Sequence, residues 1–376
     1  VSVIRVTNAG VYHDLSNEWL ANQFHFNQLS NHSYIFDQAD YYSDIDQFVQ
    51  STHELKFATY HVPFPESSSW VDRFLAVYPH VDHSFIFCSE LHQITLDQMR
   101  QLDLDRVTIF ACGFVNVPFE RAKVLQWMDW IDTTGYFYRS VQPTLLDTAL
   151  VPQSSKPKYF DILLGCRRTH RDHVFNYVHN NGLADQVIMT YHRYWNQDLR
   201  ESAEYIMERD NVEFIEPLHH TIHQVKYYGH QITMSQIVPL TIYNQTYYSL
   251  VAETNAVNEF NFYTEKIVKP MLAKRLFIAI AGQNFLKNLR SLGFCTFDGI
   301  IDESYDQTAD DAARWTQALD QVRALCQRDP VEVYSQVQDI VDHNQALLLT
   351  HDWYRDFSLE LAGELAPFLQ TPQTQN

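Results

Sequence analysis

The sequence predicts an α/β protein of two doubly wound domains followed by a helical C-terminus. Three observations carry that expectation. Strand-length apolar runs alternate with helix-period segments. The alternation stops at residues 151–158 and restarts at Tyr159. The chain's 376 residues also exceed what one hydrophobic core usually serves.

In the first domain, residues 1–150, Val1–Val6 reads as a strand, and Ser84–Cys88 (SFIFC) and Val107–Cys112 (VTIFAC) read as buried strands. A helical pattern covers Phe119–Ile131. VPQSSKPK, residues 151–158, has no periodicity and reads as a linker. In the second domain, residues 159–350, strand Tyr159–Leu164 is followed by Gly165 and a helix carrying His173–Asn180. Gln186–Thr190, Tyr247–Ala252 and Leu276–Ala281 read as further strands, with a helix over Glu265–Lys274 between the last two. Toward the end, Trp315, Leu319, Val322 and Cys326 share one helical face, and Val333, Val337, Ile340 and Val341 another. Residues 351–376 are expected to form a C-terminal helix, able to pack back on the first domain, and a tail that frays over Thr371–Asn376.

Composition narrows the function. Lys plus Arg number 27 against 46 Asp plus Glu, a formal charge of −19, so a binder that holds nucleic acid mainly through phosphates is disfavoured. Cys88, Cys112, Cys166, Cys295 and Cys326 are widely spaced and read as buried free thiols of a reducing compartment. No apolar run reaches the ~20 residues of a membrane span, which points to a soluble, cytoplasmic protein. Because the chain begins at Val1, a removed leader stays open.

Metal motifs lack their context. Asp44-Ile45-Asp46 and Asp103-Leu104-Asp105 precede apolar runs instead of following a strand, and His219, His220 and His223 (HHTIH) lack the acid of a metallohydrolase helix. No metal or bound cofactor is expected.

Two clusters carry chemistry. Strand Tyr247–Ala252 ends in Glu253 with Asn255 beyond it, and Tyr263, Thr264, Glu265 and Lys266 open the following helix. A hydroxyl, a carboxylate and an ammonium at a helix start suit a phosphate and ribose hydroxyls. On its residues alone the pattern also serves an ordinary helix cap with solvated charges. Arg167, Arg168 and Arg171, with His170 and His173, crowd the turn after the Tyr159 strand, as a pyrophosphate clamp or as a solvated helix entrance.

The order of strand ending in Glu, polar loop, aromatic, Thr-Glu-Lys, helix and hydrophobic strand resembles the donor-binding half of the α-1,3-fucosyltransferases. Gly165, Cys166 and Arg171 resemble the phosphate-binding turn of that family, while Glu-Thr-Asn at 253–255 departs from its Glu-Asn-Ser. LGFCTFDGIIDESYD is similar to uncharacterised phage and large-virus proteins. The similarity spans Tyr159 to about Tyr305.

The resemblance implies a GT-B-like architecture, two Rossmann-like domains facing a cleft, and a glycosyltransferase using a nucleotide diphosphate sugar. It would use Arg171 and Lys266 on phosphate and Glu265 on ribose or base. Glu90, just past SFIFC, is the expected base on the acceptor hydroxyl, with Glu66 and His92 as substitutes. Trp19, Tyr41, Tyr42 and Trp70 are candidates to select the acceptor, which is a carbohydrate, a glycan or a modified nucleic acid. A phage-type DNA-base glycosyltransferase and a non-catalytic binding protein of the same fold remain alternatives. For a viral protein the setting is the host cytoplasm.

Overall fold

The computed structural model describes residues 32–37, 55–62, 69–88, 93–151, 155–192, 210, 212–214 and 224–369. The expected strand Val1–Val6, Glu66, Glu90, His92, the HHTIH motif and Asp44-Ile45-Asp46 lie outside them. The chain is mixed α/β with parallel sheets and a helical C-terminal part. Described residues up to Asp129, with those from Asp352 on, form one compact unit, and Trp130–His351 form another.

The first unit contains β1 (His32–Asp37), β2 (Leu55–Val62), α1 (Ser69–Val77), β3 (His83–Cys88), α2 (Gln93–Gln101), β4 (Val107–Ala111), β5 (Gly113–Val115) and β6 (Lys123–Gln126). Its main sheet has the order β1-β2-β3-β4-β6, every pair parallel. Among the described strands this order never reverses, so the sheet offers no topological switch point.

Period two puts His83, Phe85 and Phe87 of β3 on one face, and the register sets Phe85 beside Thr108 and Phe87 beside Phe110. The C-terminal helix, Trp353–Leu369, covers that face. The ring of Phe357 lies 5.2 Å from Phe110 and 5.7 Å from Trp127. About two turns later, Glu364 accepts from Thr108 Oγ1 at 3.3 Å and from Lys123 Nζ. The helix therefore runs antiparallel to the strands, from their carboxyl ends to their amino ends.

The helix expected over Phe119–Ile131 is a strand and a helix start instead: β6 takes Lys123–Gln126, and α3 begins at Asp129. Asp103 explains the difference. Its carboxylate accepts from the backbone amides of Glu120, Arg121 and Ala122 at 2.9, 2.7 and 2.9 Å, fixing a turn that delivers the next four residues to the edge of β4. Those three amide bonds, Glu120 first, hold the Asp103 carboxyl below its ordinary value. The residue is thus a staple for a loop.

The second unit contains α3 (Asp129–Tyr136), a π-turn over Phe137–Val141, α4 (Leu145–Ala149), β7 (Lys158–Cys166), α5 (Thr169–Asn180) and β8 (Val187–His192). After these come β9 (Val212–Phe214), β10 (Gln224–Tyr227), β11 (His230–Thr233), α6 (Leu240–Gln245), β12 (Thr246–Ala252) and β13 (Phe260–Phe262). The rest is α7 (Glu265–Leu272), β14 (Phe277–Ile280), α8 (Phe285–Ser291), α9 (Asp311–Leu325) and α10 (Pro330–Thr350).

Residues on both sides of 152–154 are tied to this unit. Val238 N donates to the buried Tyr138 hydroxyl at 2.6 Å, Asn244 Nδ2 to Ala149 O at 2.8 Å, and Lys156 N to the Tyr247 hydroxyl at 2.9 Å.

The main sheet, β14-β12-β7-β8, is parallel throughout. From β7 the chain steps outward to β8, then returns to the other side of β7 to lay down β12 and β14. The order therefore reverses between β7 and β12. Right-handed crossovers in opposite directions put α5 and α7 on opposite faces. α9 lies on α5, where Tyr177 donates to Asp320 at 2.5 Å, and α10 on α7, where Gln345 Nε2 donates to Leu272 O at 2.7 Å.

A small antiparallel sheet, β11-β10-β9, completes the unit. All five cysteines are free, but only Cys88, Cys112 and Cys326 are buried; Cys166 and Cys295 are partly exposed, correcting the expectation of five buried thiols. No helix among the described residues is long and apolar enough to cross a membrane.

Candidate functional site

At a reversal of strand order, the two central strands send their following chains to opposite sides, which leaves a crevice at their carboxyl ends. In the second unit those ends are Cys166 on β7 and Ala252–Glu253 on β12. Arg171, in the first turn of α5, reaches back into this place. Its Nη1 donates to Cys166 O at 2.8 Å, and its Nη2 lies 3.4 Å from Glu253 O, so one guanidinium spans both strand ends. Gly165 makes room for it: a Cβ there would sit 3.2 Å from Nη1.

Three arginines are buried among the described residues, and their partners differ. Arg275 pairs with Asp161 at 2.7 Å and Arg314 with Asp311 at 2.5 Å. Arg171, only 2% exposed, has no carboxylate at ion-pairing distance among the described residues, and its Nε has no acceptor. A buried cation left to carbonyl oxygens is costly unless an anion joins it. Burial pushes Arg171 below its ordinary value, against which the neighbouring Cys166 works in the other direction.

His170 sits beside it, with Nε2 2.9 Å from Glu253 O. Burial, reinforced by the Arg171 charge, pushes its pKa down to about 3. The imidazole is therefore neutral near pH 7. A carbonyl can only accept, so Nε2 carries the proton and Nδ1 the lone pair.

Thr264 caps α7, its hydroxyl oxygen accepting from Lys266 N at 3.2 Å. Glu253, fully buried, accepts from Thr264 Oγ1 at 2.7 Å, from Thr254 N at 3.1 Å and from Thr264 N at 3.3 Å. Burial raises its carboxyl above the ordinary value. Glu253 thus ties the end of β12 to the start of α7. For Glu265, burial acts upward, but Lys266 and Lys269 outweigh it and hold the carboxyl below its ordinary value. Lys266 Nζ donates to Glu265 Oε1 at 2.8 Å and to Thr254 Oγ1 at 3.0 Å, and stays about a quarter exposed.

The remaining expected residues divide. Arg168 is the N-cap residue of α5, half-buried. Arg167 is exposed and pairs through Nε with Asp172 at 2.9 Å. Asn255 donates to Phe260 O at 3.1 Å, holding its own loop. Tyr263 is buried, stacked on Phe285 with its hydroxyl donating to Phe285 O at 2.7 Å. Glu90 lies outside the described residues.

Sequence reasoning passed over Thr254, whose hydroxyl holds Lys266; the Glu-Thr-Asn spelling was its only signal. It also passed over Gly282 as a constraint. A Cβ there would stand 2.0 Å from Val257 O, so only glycine lets the loop after β12 lie against the end of β14. No cluster of metal-ligating side chains occurs among the described residues.

No protein-family model matches the chain, and neither a curated protein nor a solved structure matches it significantly.

Proposed function

We propose that the second unit holds the diphosphate of a nucleotide sugar at the carboxyl ends of β7 and β12, and that the chain is a glycosyltransferase moving that sugar to an acceptor hydroxyl. The observation supporting this best is Arg171, a buried guanidinium with no carboxylate at ion-pairing distance among the described residues, in the first turn of a twelve-residue helix at the reversal of strand order. A helix N-terminus and a cation without a direct ion pair both favour an anion, and a diphosphate supplies two or more negative oxygens. Lys266, on the neighbouring helix start, is the second cation of this reading.

In the reaction, the arginine, the lysine and the helix dipole offset the charge that builds on the departing diphosphate. Glu265 is the group for a ribose or base hydroxyl. The GT-B arrangement belongs to the same proposal, as does Glu90 as the base supplied by the first unit.

One observation favours the competing reading of a nucleotide-binding protein without transfer: Glu253, Asn255 and Tyr263 commit their polar groups inside the fold. Slow hydrolysis of a sugar nucleotide by the wild-type chain separates the two.

Calorimetry with nucleoside diphosphates tests the site itself. Arg171→Met and Lys266→Ala should each weaken binding roughly tenfold or more, the worth of one charge-assisted contact. Thermal unfolding run beside it shows that the variants remain folded. Unchanged affinity in both would remove the site.

A further inference from the structure

Cys166 differs from the other four cysteines in what lies beside it. Cys88, Cys112 and Cys326 are buried, and burial pushes the Cys88 and Cys326 thiols up to about 12. Cys295 is partly exposed, with its backbone N–H and C=O both held by Asn344. Cys166 is also partly exposed, but it closes β7 after a register shift at Leu164/Cys166, and its Sγ lies 3.6 Å from Arg171 Nη1.

The second observation is that guanidinium itself. It is buried, has no carboxylate at ion-pairing distance among the described residues, and has one nitrogen, Nε, with no acceptor among them. A cation beside sulfur stabilises the negative charge that sulfur carries when it attacks an electrophile. Once oxidised, the sulfur gains oxygen that can accept from the same guanidinium, in the place where a ligand anion would lie.

We propose that Cys166 is the modification site of this chain, the thiol that hydroperoxides oxidise first, and that its oxidation closes the anion position beside Arg171. The closing rests on the donor-site reading above; the selectivity of the thiol does not. The step balances without another reactant. The S–O bond forms as the peroxide O–O bond breaks, sulfur gives up two electrons, and the departing oxygen leaves as water or alcohol carrying the thiol proton. An external thiol reductant restores the cysteine and is itself oxidised to a disulfide.

The full chain is treated with limiting hydrogen peroxide and dimedone, and each cysteine is read by mass spectrometry. Cys166 should label roughly tenfold faster than Cys295, with Cys88, Cys112 and Cys326 silent. Arg171→Met should bring Cys166 down to the rate of Cys295. Equal labelling of Cys166 and Cys295 in the wild type, or a silent Cys166, overturns the thiol assignment.

Calorimetry with inorganic pyrophosphate reads the closing. Affinity should be lost after oxidation and restored by dithiothreitol, and peroxide should leave the affinity of Cys166→Ser where it was before treatment. Affinity that survives complete oxidation of Cys166 overturns the closing. A wild-type chain that binds neither pyrophosphate nor nucleotide sinks the donor reading and the closing with it, while the labelling pattern still decides the thiol.

Discussion

His170 and Arg171 are adjacent in the chain, and the fold asks opposite things of them. Arg171 keeps its charge in a buried place, while His170 is forced to give its charge up, its pKa pushed from 6.5 to about 3 by burial and the arginine beside it. Between those two values the unfolded chain binds more protons than the folded one. The stability linked to His170 is therefore complete above pH 6.5 and is lost as pH falls toward 3, by roughly 3–5 kcal/mol in all. An NMR titration should show a histidine signal that is unchanged down to about pH 4, absent in His170→Gln. A midpoint near 6 for that signal would contradict the neutral tautomer. Spacing alone does not separate Arg171 from Arg167 and Arg168, because all three fall within five residues, and only the family resemblance points to Arg171. The helical phase separates them: Arg171, in the first turn of α5, faces the strand ends, while Arg167 precedes the helix and stays in solvent.

At the scale of strands and helices, the amino half of the second sheet is held by a buried polar network. Asp161 on β7, Thr246 and Ser249 on β12, and Arg275 just before β14 join three strands, with Arg275 donating to Asp161 at 2.7 Å and to Ser249 at 2.9 Å. Its other bonds go to Tyr243 O, Thr246 O, Thr246 Oγ1 and Tyr248 O, and its guanidinium lies 4.2 Å from the Tyr243 ring centre. Arg275→Met would leave Asp161 buried without its counter-charge. It should cost about 3–5 kcal/mol in chemical denaturation; a loss under about 1 kcal/mol would mean that the pair holds little. Strands of this sheet were legible because they are near-continuous apolar runs, as Tyr247–Ala252 and Leu276–Ala281 show. The β10–β11 hairpin was not, since its turn is Tyr228-Gly229, both at positive φ (48° and 80°), without the usual Asn-Gly spelling. β6 was missed for another reason: the turn before it is made by Asp103, a residue distant in sequence.

Across the whole chain, the two units differ in how they are stitched. The first is discontinuous, since the helix that covers Phe87, Phe110 and Trp127 comes from residues 353–369. The second is one continuous stretch, Trp130–His351, and includes all of the described candidate site. Composition and periodicity could announce two α/β bodies, yet they could not place the seam, because residues 130–150 join the second body through buried contacts that no local pattern encodes. Tyr138, whose hydroxyl takes the Val238 amide at 2.6 Å, is the clearest of them, and Leu145 and Leu146 are buried beside it in sequence. Two fragments test the seam. Residues 130–351 should unfold cooperatively and keep nucleoside diphosphate affinity within about threefold of the full chain. Residues 156–351 lack Tyr138 and both leucines, so Val238 N loses its acceptor and apolar surface is uncovered. That fragment should lose several kcal/mol, about 2 for each buried side chain removed, and should melt early or aggregate. Equal stability of the two fragments would move the seam back to residues 151–158.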